Sequence, residues 1–217
     1  MKTIACVLKL GEWKNRHMRV SYTPAHVRWL RDQVAKHLPE PHRFVCLTDA
    51  VVHGVETIPL QSNLPGWWSK MELFNEFESA FYIDLDTVIV GDLTRMVNHD
   101  HKFTILRNLS ARHSKKIGSG VMAWNGDYSH LYREFMMHKN VNIATYTTSE
   151  KWGDQGFIHD HLQGWDHFQD LFPGAIQSFK FDLKEGDPKP DCSIVCFHGE
   201  PRPWQVTKSW VPEVHRG

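Results

Sequence analysis

Apolar positions in this chain fall into short, nearly continuous runs that alternate with longer segments of helical spacing. Residues 3 to 10, rich in β-branched and apolar side chains, predict a first β-strand. A polar loop runs on through Val20. Thr23-Pro24 then supplies an N-cap and first helical residue for a segment carrying Val27, Leu30, Val34 and Leu38 on one face, halted at Pro39-Glu40-Pro41. Phe44-Val45-Cys46-Leu47 reads as a second strand ending in Thr48-Asp49, with a short strand near Gly54 to Ile58. Ser69-Lys70-Met71-Glu72 fits a capping box that opens a helix with Met71, Phe74 and Phe77 inward. That helix feeds a strand running from Phe81 to Val90. Further strands are expected over Phe103 to Arg107 and Gly118 to Trp124. Asn125-Gly126-Asp127 forms a turn capping a helix to about His138, and another helix starts near Gly153-Asp154-Gln155. Residues 139 to 152 are polar and weakly patterned, and the last strands are expected around 175 to 181 and 193 to 198.

This alternation predicts an α/β fold with a mostly parallel sheet flanked by helices, in one domain over residues 1–217, with ligand sites at the carboxyl ends of strands. Composition narrows the partners: 25 Lys plus Arg balance 25 Asp plus Glu, leaving no basic field to attract nucleic acid. The first ten residues are too short and too soon interrupted by Lys9 and Glu12 for a signal peptide or membrane span. Cys6, Cys46, Cys192 and Cys196 sit mostly in apolar runs, which favours reduced core thiols in a cytoplasmic protein. Cys192 and Cys196 lack a second ligand pair, which argues against zinc.

The stretch Phe81-Tyr82-Ile83-Asp84-Leu85-Asp86-Thr87-Val88-Ile89-Val90 places two carboxylates inside an apolar run. A buried charge must be paired or bound to metal, and residues two apart on an extended chain share a side, so Asp84 and Asp86 can converge on one cation. Three further groups could complete a phosphate and metal kit: Lys70, Asp154 with Gln155, and the late cluster His198, Gly199, Arg202 and Trp204. Taken singly, each has an ordinary reading. Lys70 could be a solvated side chain, Asp154 an N-cap, His198 a satisfied core or surface group, and Trp204 a packing residue.

Taken together, these motifs resemble a nucleotide-sugar glycosyltransferase of the GT-A fold, near the retaining glycogenin and galactosyltransferase group. Ser69-Lys70-Met71-Glu72-Leu73-Phe74 followed by Tyr82 to Ile89 is similar to that group's lysine helix and DxD strand. Gly118-Ser119-Gly120-Val121-Met122 resembles its N-S-G-V segment, and Gly153-Asp154-Gln155 matches its G-D-Q. The resemblance implies transfer of a sugar from a nucleotide diphosphate donor, a UDP-sugar, to an acceptor, with Mn²⁺ or Mg²⁺ and retention of configuration. It implies that Asp86 binds the metal and that Asp84 touches metal and ribose or sugar. Lys70 would contact the donor, while Asp154 and Gln155 face the reacting sugar. Arg202 would clamp the diphosphate near Gly199 and Trp204, stabilising it as it departs from an oxocarbenium-like transition state. For the base, the loop from Leu10 to Tyr22 and Asp49 at the end of the second strand are the natural places. The tail departs from the group: Arg202-Pro203-Trp204 replaces K-P-W and His198 directly precedes Gly199. Alignment on Trp204 puts Cys196 at the position of the group's histidine ligand, so either a slightly different loop brings His198 to the metal as its third ligand or the third protein ligand is absent.

A second enzyme class shares the pattern. Ile83-Asp84-Leu85-Asp86-Thr87-Val88 also fits a haloacid-dehalogenase-like phosphatase, with Asp84 as nucleophile and Asp86 as acid/base, and Gly153-Asp154 with Asp160 would imitate its later metal motif. Against it, about eighty residues with a βαβ pattern precede a strand that normally opens that fold. A third reading is a non-catalytic sugar-nucleotide-binding domain.

Overall fold

The chain builds a layered α/β structure because its strands are apolar on both faces and need helices on each side. The computed structural model describes residues 1–11, 22–110 and 115–214. In chain order these form β1 (Lys2–Leu8), α1 (Pro24–His37), β2 (His42–Thr48), β3 (Glu56–Pro59), a 3-10 helix (Gly66–Glu72), α2 (Leu73–Glu76), β4 (Ser79–Ile83) and β5 (Thr87–Ile89). Then come α3 (Thr94–Val97), β6 (Phe103–Arg107), β7 (Ile117–Asn125), α4 (Ser129–Met137), α5 (Lys139–Tyr146), α6 (Asp154–His161), β8 (Asp166–His167) and α7 (Phe168–Leu171). β9 (Ile176–Ser178), β10 (Ile194–Cys196) and a second 3-10 helix (Pro203–Gln205) follow.

Seven strands pair in the order β3-β2-β1-β4-β7-β6-β8, and β5-β10-β9 make a separate three-stranded sheet. β1 pairs in parallel with β2 and with β4, and β2 with β3, while β7 runs antiparallel to both β4 and β6. The chain thus builds outward from β1 through β2 and β3, then returns to lay β4 on the other side. That reversal lies between β1 and its two neighbours, and in sheets of this kind ligands bind at the carboxyl ends of the strands at such a point.

Side chains alternate across the sheet. Ile4, Cys6, Leu8, Phe81 and Ile83 pack with Val27, Leu30 and Val34 of α1, whereas Ala5, Tyr82, Met122 and Trp124 pack on the opposite face with Trp68, Met71, Phe74 and Phe157. All four cysteines are buried free thiols. Among the described residues, no helix is long and apolar enough to cross a membrane.

Three local expectations are corrected. The run from Phe81 to Val90 is not one strand: it leaves the main sheet after Ile83 and re-enters as β5 of the small sheet, pairing with β10. Ser69 and Glu72 form no capping box, because Pro65-Gly66 starts the 3-10 helix before them. Instead the Ser69 hydroxyl donates to the Leu64 carbonyl at 2.8 Å, and the Glu72 carboxylate accepts from the Gln61 and Ser62 amides at 2.7 and 3.1 Å. The polar stretch after 138 contains α5, whose apolar stripe is narrow: Tyr146 is buried, Ile143 partly so, and Val141 faces solvent.

Candidate active site

Asp84 follows the last residue of β4, at the carboxyl end of the strand where the strand order reverses. Its amide donates to the Gly120 carbonyl at 2.8 Å, and its carbonyl accepts from Thr87 at 3.2 Å, so backbone bonds pin the tripeptide between the two sheets. Gly120 lies close beside it: a Cβ there would sit 3.3 Å from Asp84 Oδ2, a tight contact.

Lys70, at the end of the first 3-10 helix, reaches from the opposite side. Its Nζ lies 3.1 Å from Asp84 Oδ1 and 3.2 Å from Asp154 Oδ2, and 3.2 Å from the Ser119 hydroxyl, which itself donates to Asp154 Oδ2 at 2.6 Å. Tyr82, two residues before Asp84 on β4, donates its hydroxyl to Asp84 Oδ1. Burial pulls the Lys70 ammonium toward its neutral form, but the charges of Asp154 and Asp84 outweigh it and hold its pKa above the ordinary lysine value. Burial, reinforced by Asp84, pushes the Tyr82 phenol well up, so it stays a proton donor.

Asp154 is placed by α6, whose N-cap Gly153 has φ 72° and ψ −136°. An L side chain there would be strained, and its Cβ would lie 2.3 Å from Trp67 Nε1. Gln155, half-buried, follows Asp154 in the same first turn.

Asp86 opens toward the tail. β5 and β10 pair with Thr87 opposite Cys196, which carries the segment after Cys196 past Asp86. The Arg202 guanidinium makes a buried ion pair with Asp86 and also donates to the Tyr22 hydroxyl at 3.2 Å. Trp204 packs on His26, with ring centroids 4.2 Å apart, and edge-on to Tyr22 at 5.8 Å. His198 is held elsewhere on this tail: its Nε2 pairs with the Ser178 hydroxyl at 2.7 Å, and its ring stacks on Phe181 at 5.1 Å. Burial, then the nearby Lys180, holds the His198 pKa below its ordinary value against Asp182. Gly199 has φ 71°, and a Cβ added to it would lie 3.4 Å from Lys180 Nζ. Cys196 is buried in β10, and burial pushes its thiol pKa upward, which disfavours the thiolate a metal needs.

The structure thus brings Lys70, Asp84 and Asp154 into one network and Asp86 and Arg202 into a second beside it. Asp49 stands apart at the ends of β1 and β2. It accepts from Lys9 Nζ at 2.6 Å and from the Leu10 amide at 2.8 Å, and these two outweigh the upward push of burial to keep its carboxyl below the ordinary range. Most of the loop assigned to base recognition, 12 to 21, lies outside the described residues. Sequence reasoning gave no role to Tyr82 or Ser119. The signal for Tyr82 was its spacing, since a residue two before Asp84 shares its side of the strand.

Among the described residues no three His, Cys, Asp or Glu side chains gather as a cation site. The chemistry of the Asp84 and Asp86 carboxylates still fits a hard divalent cation, because Mg²⁺ and ions like it are commonly held by one or two carboxylates with water and substrate phosphates completing the shell. The phosphatase alternative fits less well. The strand bearing Asp84 is fourth in order and pairs antiparallel with β7, and Asp84 Oδ1 is already engaged by Lys70 and Tyr82.

No protein-family model and no curated protein matches the sequence. Solved structures do match. The glycosyltransferase GlyE of Streptococcus pneumoniae TIGR4 superposes with a TM-score of 0.64 at 11% identity, covering 94% of this chain and 57% of GlyE. The galactosyltransferase LgtC, solved with donor and acceptor sugar analogs, gives 0.63 at 12% identity over 93% of this chain and 89% of LgtC. The bifunctional glycosyltransferase WbbM gives 0.58 at 8% identity over 94% and 46%. The chain therefore spans little more than half the length of GlyE and less than half that of WbbM. At these identities the likeness speaks for architecture, and the chain has the GT-A fold of these glycosyltransferases.

Proposed function

We propose that this protein transfers a sugar from a UDP-sugar to an acceptor, using a divalent cation, Mn²⁺ or Mg²⁺, with retention at the anomeric carbon. The observation that carries this reading is the buried Lys70 bridging Asp84 and Asp154 at the strand-order reversal, beside the Asp86–Arg202 pair. An arrangement of that cost, set at the strand-order reversal of a GT-A fold, is better explained by substrate than by stability.

The charges indicate how it works. Asp84, Asp86 and Asp154 outnumber Lys70 and Arg202 by one, so this cluster repels a diphosphate until positive charge is added. Asp84 and Asp86 would hold a cation, which supplies the charge that stabilises a departing diphosphate. Arg202 adds planar donors to the diphosphate oxygens. Lys70 and Ser119 fix the Asp154 carboxylate at the head of α6, where with Gln155 it faces the reacting sugar and stabilises positive charge developing there. Asp49, at the ends of β1 and β2, is the candidate partner of the uracil or ribose. His198, through Ser178, orders the segment leading to Arg202.

Calorimetry with UDP tests this. UDP should bind much more tightly with Mn²⁺ than with chelator, and Asp86→Asn should remove the difference. Equal binding by the natural chain in both conditions refutes the reading. Slow release of UDP from one member of a UDP-sugar panel separates an enzyme from a binding module.

A further inference from the structure

We infer that Lys116 is a positioning residue for Asp154: its ammonium locks the left-handed turn that leads into α6 onto the head of β7, and so fixes the carboxylate where the reacting sugar would meet it. The inference rests on the reading of Asp154 above and adds a residue outside the donor's own contacts.

The turn is unusual at two successive residues. Trp152 has φ 61° and Gly153 φ 72°, directly before Asp154. Glycine adopts such a backbone freely, whereas a bulky indole residue there is an outlier that persists only where its surroundings hold it. Backbone bonds close the turn back toward the end of α5: the Trp152 amide donates to the Thr148 carbonyl at 2.9 Å, and the Gly153 amide to the Tyr146 carbonyl at 2.8 Å. The turn also rests on α6 itself, since a Cβ at Gly156 would lie 1.9 Å from the Lys151 carbonyl oxygen. Turn and helix head therefore move as one piece.

Lys116 ties that piece to the sheet. It directly precedes β7, and its own carbonyl accepts from the Asn108 amide at 2.8 Å, so its backbone continues the pairing of β6 with β7. Its Nζ donates to the Glu150 carbonyl and stands 4.3 Å from the centre of the Trp152 ring. One ammonium thus holds the turn at two points, through a charge-assisted hydrogen bond and a cation–π contact. Three residues further along, Ser119 donates to Asp154 Oδ2 at 2.6 Å. The head of β7 therefore grips both the backbone that leads to Asp154 and the carboxylate itself, and a paired strand sets the spacing between the two grips. Releasing Lys116 lets Trp152 relax toward an ordinary φ, which shifts the head of α6 relative to Ser119 and Lys70. A displacement of about 1 Å at a reacting group is enough to lower a rate by roughly a hundredfold.

Lys116→Met keeps the aliphatic stem, removes the charge and supplies the test. Amide exchange followed by NMR should be faster by about tenfold at Trp152 and Gly153 and unchanged in β1 and β4. With the member of a UDP-sugar panel that the natural chain cleaves fastest, kcat for UDP release should fall by about tenfold or more while the donor KM stays within about twofold, as expected for a contact that serves the transition state. Lys116→Arg offers the same charge to carbonyl and ring, and should restore both readouts to within about threefold. Unaltered exchange, an unchanged kcat, a fall in kcat matched by a rise in KM, or no recovery in Lys116→Arg overturns the inference. If Lys116→Met does not fold, Trp152→Gly decides. It removes the ring and the strain together and should still lower kcat at constant KM; a kcat at or above that of the natural chain overturns the inference. A natural chain that releases UDP from no UDP-sugar overturns the reading of the site instead, and exchange at Trp152 and Gly153 in Lys116→Met then decides the latch by itself.

Discussion

Replacing Lys70 by methionine tests whether the centre of the site is a buried ion network. Methionine keeps the aliphatic length and removes the charge, leaving Asp84 and Asp154 facing each other without their shared partner. Deleting one member of a buried ion pair costs about 3–5 kcal/mol. Most of that falls on Asp154, whose side chain is 7% exposed, because Asp84 at 32% is partly screened by solvent. For a chain of 217 residues, 1 kcal/mol shifts the melting midpoint by roughly 2–4 °C, so Lys70→Met should melt about 6–20 °C lower. Urea denaturation of Lys70→Met, Asp154→Asn and the double variant supplies the cycle. The double should be less destabilised than the sum of the singles, by about 1–3 kcal/mol. The pH dependence has a definite sign. The pKa of Lys70 is raised in the folded state, so its contribution is fully present below the ordinary lysine value of about 10.4 and is lost only as pH climbs through the folded value. The stability gap between the two proteins should therefore be flat from pH 7 to 9 and narrow in stronger alkali. A Lys70→Met protein that loses less than about 1 kcal/mol, or additive single effects, would refute the buried network.

Two further outcomes are expected. Gly153→Ala should destabilise by at least about 2 kcal/mol in urea and depress UDP-sugar turnover, because it strains the backbone and drives a methyl into Trp67 at the turn that aims Asp154; an unaltered midpoint would show that the turn is not constrained. His101 is buried between Thr104 and the Met96 carbonyl, and burial lowers its folded pKa below the ordinary histidine value of about 6.5. Its contribution is complete above about pH 6.5 and lost as pH falls through the folded value, so the melting midpoint should drop between pH 7 and 5, and less steeply in His101→Gln; an equal slope in both proteins would count against it.

The parts of this fold legible in the sequence are those governed by local spacing. The α1 stripe, with Thr23 and Pro24 at its head, is read directly from residues three and four apart, and the β7 run and the turn at Gly153 are similarly local. What escaped depends on partners far along the chain. Nothing local to Phe81 to Val90 says that its second half leaves the main sheet, because both halves are equally apolar and only β10 decides the exit. Likewise the bond from Arg202 to Asp86 joins residues 116 apart, beyond any periodicity argument. Lys70, Asp84 and Asp154 could be named from residue type and motif. That one ammonium bridges both carboxylates, with Ser119 and Tyr82 as their other partners, is knowable only once β4, β7 and α6 are assembled.

The break after Ile83 also has a consequence for the order in which this protein matures. Asp84 hangs from the large sheet, whose β1, β2 and β4 can pair as soon as about eighty residues have left the ribosome, while Asp86 is held by a strand whose partner is synthesised more than a hundred residues later. The scaffold can thus form well before its second carboxylate is fixed in place. A nascent chain without β10 can carry β1, β2 and β4 but has neither Asp86 nor Arg202 in its final place, so the second half of the candidate site is assembled at the end of synthesis rather than along the way.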